Sequence, residues 1–330
     1  MRKQTLLLFC AVVFLDGSFS GCSRGDAEPS RSEFVLGTVC TITLYDQGYS
    51  RVYRDIFRRL REIEDRMSVN IAESDIARIN AAAGQEPVKA HDDVFEVIRR
   101  ALYYAEISDG AFDPTVGPLV SLWGIGGDNP RVPSTEEINA ALGLINRHDV
   151  VLNRENSSVF LKRPGMALDL GAIAKGYAAD EAAAILKKAK IKQAIVNLGG
   201  NILTHGEKKD KSPWRIGIQD PSGQRGAYIG YLQEREKTVV TSGLYERYFE
   251  SGGEHYHHIL SPADGYPARN NLLSVSIVTN TSMNADALST SVFVLGYEKG
   301  KALIESLEDV QAIFIFDDLS IHIAGGLDFV

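Results

Sequence analysis

Helical and strand-like patterns interleave along this chain without a regular strand–helix–strand rhythm, which points to an α+β fold and away from a doubly wound parallel sheet. Segments 34–45, 193–198, 215–219, 228–232, 239–242, 274–279, 312–316 and 320–324 read as strands, several of them Val/Ile/Thr-rich. Helical spacing runs through 53–67, where Ile56, Leu60, Ile63 and Met67 recur with charges between them, and again through 92–107. Ser134 followed by Glu137 predicts a capping box opening another helix. Segments 150–152 and 159–162 read as a hairpin, 179–190 as an Ala-rich helix, and 284–296 and 297–307 as two more helices. The expectation is mixed, largely antiparallel sheets with packed helices, arranged as two lobes.

The N-terminus reads as an address. Arg2 and Lys3 precede an apolar run from Leu6 to Leu15, the length of a signal-peptide core and too short to span a bilayer. Ser18-Phe19-Ser20-Gly21-Cys22 resembles a bacterial lipobox, with Phe19 where Leu is usual. Residues 1–21 are thus expected to be a signal peptide, Cys22 the lipidation site, 22–32 a polar tether and 33–330 the functional domain. The other cysteines are Cys10, which leaves with the signal, and Cys40. An exported chain of this kind has no internal disulfide and depends on its core. The net charge of −8 argues against nucleic acid. It still permits an anionic ligand, because a helix N-terminus or a metal supplies local positive charge.

Four segments carry candidate chemistry. Ala111-Phe112-Asp113-Pro114-Thr115-Val116-Gly117-Pro118-Leu119 reads, taken alone, as a rigid turn with a helix cap at Asp113. Asp169-Leu170-Gly171-Ala172-Ile173-Ala174-Lys175-Gly176 follows an apolar, strand-like stretch and opens a helix. It suits either close approach to an anion, with Lys175 reaching a phosphate, or tight helix–sheet packing. Its glycine–lysine order is not that of a P-loop. Asp286, Ser289 and Thr290 share a helix face and form a hard-oxygen set suited to Mg²⁺, or else a capped helix with back-bonded hydroxyls. His255, His257 and His258 do not match zinc spacing, so a single histidine acting as acid or base is the better reading. Residues 123–127, Trp-Gly-Ile-Gly-Gly, read as a flexible loop.

In combination and order these segments resemble the ApbE family. The others are Asn197-Leu198-Gly199-Gly200-Asn201, Thr241-Ser242-Gly243 with Tyr245-Glu246-Arg247, and His257-His258-Ile259-Leu260. The family comprises FAD:protein FMN transferases, often exported lipoproteins, so the resemblance implies an enzyme and, with the lipobox, a lipoprotein at the periplasmic face of the inner membrane. It implies Mg²⁺-dependent transfer of the FMN phosphoryl group from FAD to a Thr or Ser hydroxyl of a partner protein, releasing AMP. The acceptor would carry an Asp-Gly/Ser-x-Thr/Ser-Ala/Gly-Thr type motif, and the FAD site would lie between the lobes. Asp286, Ser289, Thr290 and the carbonyl of Ala172 would ligate the metal. Leu36, Asn70, Ala111, Phe112, Asp113, Asp169, Lys175, Ile259 and Leu260 would line the FAD site. Lys175 would assist the chemistry, with His258, then His257, as candidate base. Asn70 departs from the family, which commonly has an aromatic residue there. Losing that stacking face loosens FAD retention and opens a second outcome, hydrolysis of FAD to FMN and AMP. A flavin-binding lipoprotein without catalysis is the third reading.

Overall fold

The computed structural model describes residues 30–46, 49–224 and 226–330. The expected signal peptide and Cys22 lie outside the described residues. In chain order the elements are β1 (Ser30–Val35), β2 (Thr38–Leu44), α1 (Ser50–Met67), α2 (Asp75–Ala81), β3 (Val88–Lys89), α3 (Asp92–Ile107), α4 (Gly117–Trp123) and α5 (Thr135–Leu142). There follow β4 (Val150–Asn153), β5 (Ser158–Leu161), α6 (Ala174–Lys188), β6 (Ala194–Leu198), β7 (Asn201–His205), β8 (Trp214–Gln219), β9 (Tyr228–Glu234) and β10 (Thr238–Gly243). The chain closes with β11 (Tyr248–Ser251), β12 (Glu254–His257), β13 (Leu272–Thr279), α7 (Ser282–Glu305), β14 (Gln311–Phe316) and β15 (Ile321–Ala324).

An eight-stranded sheet in the order β1-β2-β6-β7-β10-β13-β14-β15 is the frame, and its ladders are antiparallel. Alternation sorts its side chains between two faces. Val240, Val275, Ile277, Ala312 and Phe314 join α1, α3, α6 and α7 in the main core, while Val239, Val278, Ile313 and Ile315 pack against the β8–β9 hairpin. Helix α1 buries Ile56, Phe57, Leu60, Ile63 and Met67 as one stripe, as its spacing predicts. Each such side chain contributes roughly 1.5–3 kcal/mol on leaving water. Cys40 is buried and free, its thiol pushed up to about 12 by burial.

A smaller cluster forms the second lobe: Leu119 and Trp123 of α4, Ile138 and Ala141 of α5, and Leu260. Here the expectation of a flexible loop at 123–127 fails at its start. Trp123 ends α4, is fully buried, and donates from Nε1 to the Gly265 carbonyl at 2.8 Å. Gly124, left-handed at φ 61°, terminates the helix behind it.

Four other expectations change. The single strand 34–45 is a hairpin, because Leu36 and Gly37 both take positive φ (57° and 66°), the geometry of a tight primed turn. Strand β1 begins at Ser30, so residues 30–32 of the expected tether belong to the sheet. Their polar composition is that of an edge strand, with Ser30 and Ser32 bonded to Thr43 and Thr41 across the hairpin. The apolar stretch before Asp169 is extended but belongs to no sheet, touching Val116 through one bridge at Ala167. The two helices expected over 284–307 are the arms of α7 on either side of Gly296, whose φ of 74° interrupts the helix.

Candidate active site

The site is built on the contact between α6 and α7. Neither helix has a side-chain cap of its own: Ile173 precedes α6 and Thr281 precedes α7, and neither side chain bonds back. Each helix is capped by an aspartate of the other. Asp286 of α7 accepts the Gly176 N–H at 2.8 Å, and Asp180 of α6 accepts the N–H groups of Ser282 at 2.8 Å and Met283 at 2.9 Å. A carboxylate at a helix N-terminus gains from both the orphan donors and the dipole. The first turn of α6, read from sequence as a place for an anionic ligand, thus already holds the Asp286 carboxylate. Burial nevertheless pushes the Asp180 carboxyl up to about 6, with Glu181 and Asp286 adding to the rise. Gly176 is required for the approach, since a Cβ there would fall 2.3 Å from the Ser282 carbonyl and 2.7 Å from the Asp286 Cβ.

Around Asp286 the other predicted groups converge. Lys175 Nζ lies 4.0 Å from Asp286 Oδ1 and donates to the Gly171 carbonyl at 3.2 Å. Ser289 Oγ donates to the Asp286 carbonyl at 2.9 Å. Ser242, on β10, donates to Ser289 Oγ at 2.9 Å and sits 3.4 Å from Thr290 Oγ1. This is a set of hard oxygens with one carboxylate, which suits Mg²⁺ with water or phosphate completing its shell. Asp286, Ser289, Thr290 and the Ala172 carbonyl, in the turn that leads into α6, are the groups that would hold it. Among the described residues no three His, Cys, Asp or Glu side chains gather as a metal cluster.

Asp169 is placed by a long-range device. The Asn80 side chain mimics a strand neighbour for Leu168, donating to its carbonyl at 2.9 Å and accepting its N–H at 2.7 Å. Asp169 N–H then donates to the Pro114 carbonyl at 2.8 Å, which ties this segment to the 111–113 turn. Asp113 itself is occupied in that turn, accepting from Thr115 N–H and Oγ1 at 2.8 and 2.6 Å, and does not cap a helix as expected, because α4 begins only at Gly117, after Val116. Phe112 is buried in the main core and Ala111 is half-buried. Burial raises the Asp169 carboxyl, against the opposing pull of the Gly171 N–H and of Lys175 and Arg247.

The two candidate histidines are adjacent and differ. His257 is buried, its Nε2 bonded to the Ala268 carbonyl at 3.0 Å and its Nδ1 accepting the Ile259 N–H at 3.2 Å. Both nitrogens are engaged, so His257 has no lone pair for a substrate and the second-choice base is a core residue. Burial holds it neutral, at about 4. His258 is half-buried at the open end of the β11–β12 hairpin, opposite Arg247, whose carbonyl takes its N–H at 3.1 Å and its Nδ1 at 3.2 Å. That bond fixes the Nδ1–H tautomer and leaves Nε2 as the acceptor. Burial, with Arg247 and Lys175 nearby, lowers it to about 3.

The remaining predicted residues lie further out. Ile259 is buried with both backbone groups bonded, its carbonyl to Ala268 N–H at 2.9 Å, so it offers surface and no spare N–H. Leu260 packs in the smaller lobe. Leu36 sits in the β1–β2 turn and packs against the main core. Asn70 is exposed in the turn between α1 and α2. Sequence reasoning missed Asp180 and Asn80 and gave no task to Ser242, which it quoted in a motif; their roles depend on contacts made from 47 to 103 residues away. It quoted Arg247 in a motif without giving it a task.

Comparison with known proteins places the chain in a family. The ApbE family model matches residues 36–314. An FAD:protein FMN transferase of Klebsiella pneumoniae (strain 342) is 42% identical over 286 residues, covering 87% of this chain and 88% of the relative. One from Treponema pallidum (strain Nichols) is 39% identical over 330 residues, covering 94% and 90%. Among solved structures, the ApbE protein of Thermotoga maritima superposes with a TM-score of 0.82 at 36% identity, over 89% of this chain and 96% of that one. The flavin transferase ApbE of Vibrio cholerae gives 0.81 at 30% identity, over 90% and 96%. With the family model spanning most of the chain and relatives this similar along nearly their whole length, the chain belongs to the ApbE family.

Proposed function

We propose that this protein transfers the FMN phosphoryl group of FAD to a Thr or Ser hydroxyl of a partner protein, with Mg²⁺ bound at Asp286, Ser289, Thr290 and the Ala172 carbonyl. The observation that carries this is the Asp286 carboxylate, buried at the α6–α7 contact, bonded to Gly176 and facing Lys175, on the helix whose Ser289 hydroxyl bonds its own main-chain carbonyl. Mg²⁺ bound there would neutralise charge on the pyrophosphate. Lys175 adds a cation on the same anion. The acceptor oxygen attacks the FMN phosphorus, the bond to the bridging oxygen breaks, and AMP leaves. The hydroxyl proton passes to Nε2 of His258, which its Nδ1–H bond to Arg247 keeps as an acceptor. His258 begins neutral between two cations, and the anionic substrate raises its basicity when it arrives.

The acceptor would present a short Asp-Gly/Ser-x-Thr/Ser-Ala/Gly-Thr type motif. The protein would act as an exported lipoprotein anchored through Cys22 at the periplasmic face of the inner membrane. Its sheet begins within eight residues of that cysteine. Asn70 supports a second activity, hydrolysis of FAD, because its exposed turn offers no ring to hold a flavin.

The test mixes the protein with FAD and Mg²⁺, with and without an acceptor peptide carrying that motif, and follows AMP, free FMN and acceptor mass. AMP together with an FMN-sized gain on the acceptor supports transfer. AMP and free FMN in both tubes, with an unmodified acceptor, replaces it with hydrolysis. Intact FAD in both tubes leaves a binding protein.

A further inference from the structure

The chemistry above uses the carbonyl of Arg247 and leaves its side chain without a task. That side chain leaves the β11–β12 hairpin and crosses to two glycine turns. Its Nη2 donates to the Gly37 carbonyl at 3.0 Å. A Cβ at Gly126 would lie 3.2 Å from Arg247 Cδ, and one at Gly37 would lie 3.6 Å from Nη2. Both glycines have positive φ, 66° and 86°, where a side chain would be strained, and at Gly126 a Cβ would also crowd the arginine stem. The stem is held between them while the residue as a whole remains exposed.

Arg247 also differs from the site's other cation. Lys175 has Asp286 within 4.0 Å, whereas among the described residues no carboxylate forms an ion pair with Arg247. A guanidinium carries five N–H groups in a fixed fork, and the Gly37 carbonyl takes only one direction of it. The backbone of Arg247 is bonded to His258, so the fork and the candidate base are anchored to the same hairpin end.

We propose that Arg247 is a second pyrophosphate-binding residue, its guanidinium taking a phosphate oxygen of the dinucleotide while Gly37 fixes its orientation. Lys175 takes the same anion from the α6 side. This rests on the reading that FAD is the substrate. Arginine suits the task because its planar fork matches phosphate oxygens in pairs and its charge does not titrate. Anchoring to the hairpin end sets the transferring phosphoryl group beside His258.

The test titrates the purified wild type, Arg247→Gln and Arg247→Lys with FAD and with riboflavin, which lacks phosphate, by quenching of flavin fluorescence in the presence of Mg²⁺. Arg247→Gln is expected to weaken FAD by about 10- to 100-fold, the scale of one charge-assisted hydrogen bond, with riboflavin unchanged within about twofold. Arg247→Lys falls between. The decisive quantity is the ratio of FAD to riboflavin affinity. The same ratio in Arg247→Gln as in the wild type overturns the proposal, whether both affinities fall, as for a latch on the Gly37 turn, or neither does. AMP release in the same samples tests the transferase reading separately. A wild type that prefers FAD but releases no AMP removes that reading and leaves the Arg247 contact standing.

Discussion

The α6–α7 contact and the rim made by the 36–37 turn, the 124–127 turn and Arg247 are built in opposite ways. The helix contact is buried, with two aspartates exchanged as caps and a glycine where no Cβ fits. The rim exposes Gly37, Gly126 and Arg247, with one guanidinium–carbonyl bond joining Arg247 to the Gly37 turn. A buried carboxylate with two fixed partners keeps its position when ligands come and go. The rim keeps Leu36 and Ile125 against the two cores, while its Arg247–Gly37 bond competes with water. The comparison teaches where precision is needed: at the carboxylate and hydroxyls that would hold a cation, more than at the edge the substrates pass.

Replacing Asp286 attacks the rigid region directly. Asp286→Asn keeps the shape and removes the charge, and is expected to lower AMP release by roughly 10³–10⁵-fold, the range for losing a charge-neutralising group in phosphoryl transfer. Steady-state kinetics over a range of Mg²⁺ concentrations reads it. A loss below tenfold would make the helix contact structural only. His258→Ala, at the rim, is expected to cost roughly 10²–10⁴-fold in rate, with FAD affinity within a few-fold of wild type. A rate equal to wild type removes His258 from the mechanism.

Gly176→Ala sharpens the contrast through stability. The added methyl overlaps backbone and the Asp286 side chain, so unfolding in urea should show a loss of roughly 1–3 kcal/mol. The same substitution at exposed Gly252, where nothing lies within 4 Å of a Cβ, meets only its positive φ and should cost less. Asn70→Tyr should tighten FAD several-fold by adding a stacking face, as measured by flavin fluorescence, and an unchanged affinity would show that the turn does not face the flavin.

The smallest effect concerns pH. The native His257 ring stays neutral down to about 4, whereas the unfolded ring takes a proton near its ordinary value of 6.5. Between these values the unfolded state binds more protons at this position, so its contribution to stability falls as pH drops from 6.5 towards 4. His257→Gln removes that contribution, and the pH dependence of urea unfolding in this window should change by up to one proton. No change in slope would mean the ring is protonated in place.

The individual sequence patterns were legible to different depths. The spacing in α1 and α3, the capping box at Ser134 and the short strands were readable because a helix or strand repeats its buried face at a fixed interval. The oxygen set Asp286, Ser289 and Thr290 was readable for the same reason, since i, i+3 and i+4 share a helix face. The Leu36–Gly37 hairpin was not, because a leucine in the left-handed region has no local signature.

What the sequence by itself determined is the local chemistry: which helix face carries the oxygens, where a lysine opens α6, and which ordered segments mark the family. What only the tertiary structure decided is which groups are left to act. Two adjacent histidines look equivalent in sequence, yet one is closed within the core by the Ala268 carbonyl and the Ile259 N–H, and the other bonds through Nδ1 alone, to the Arg247 carbonyl. Asp180 reads as a helix-surface acid until α7 places its first turn against it. The reason is physical: a side chain's residue type sets which bonds it can make, but the contacts of distant segments determine which of those bonds are already made.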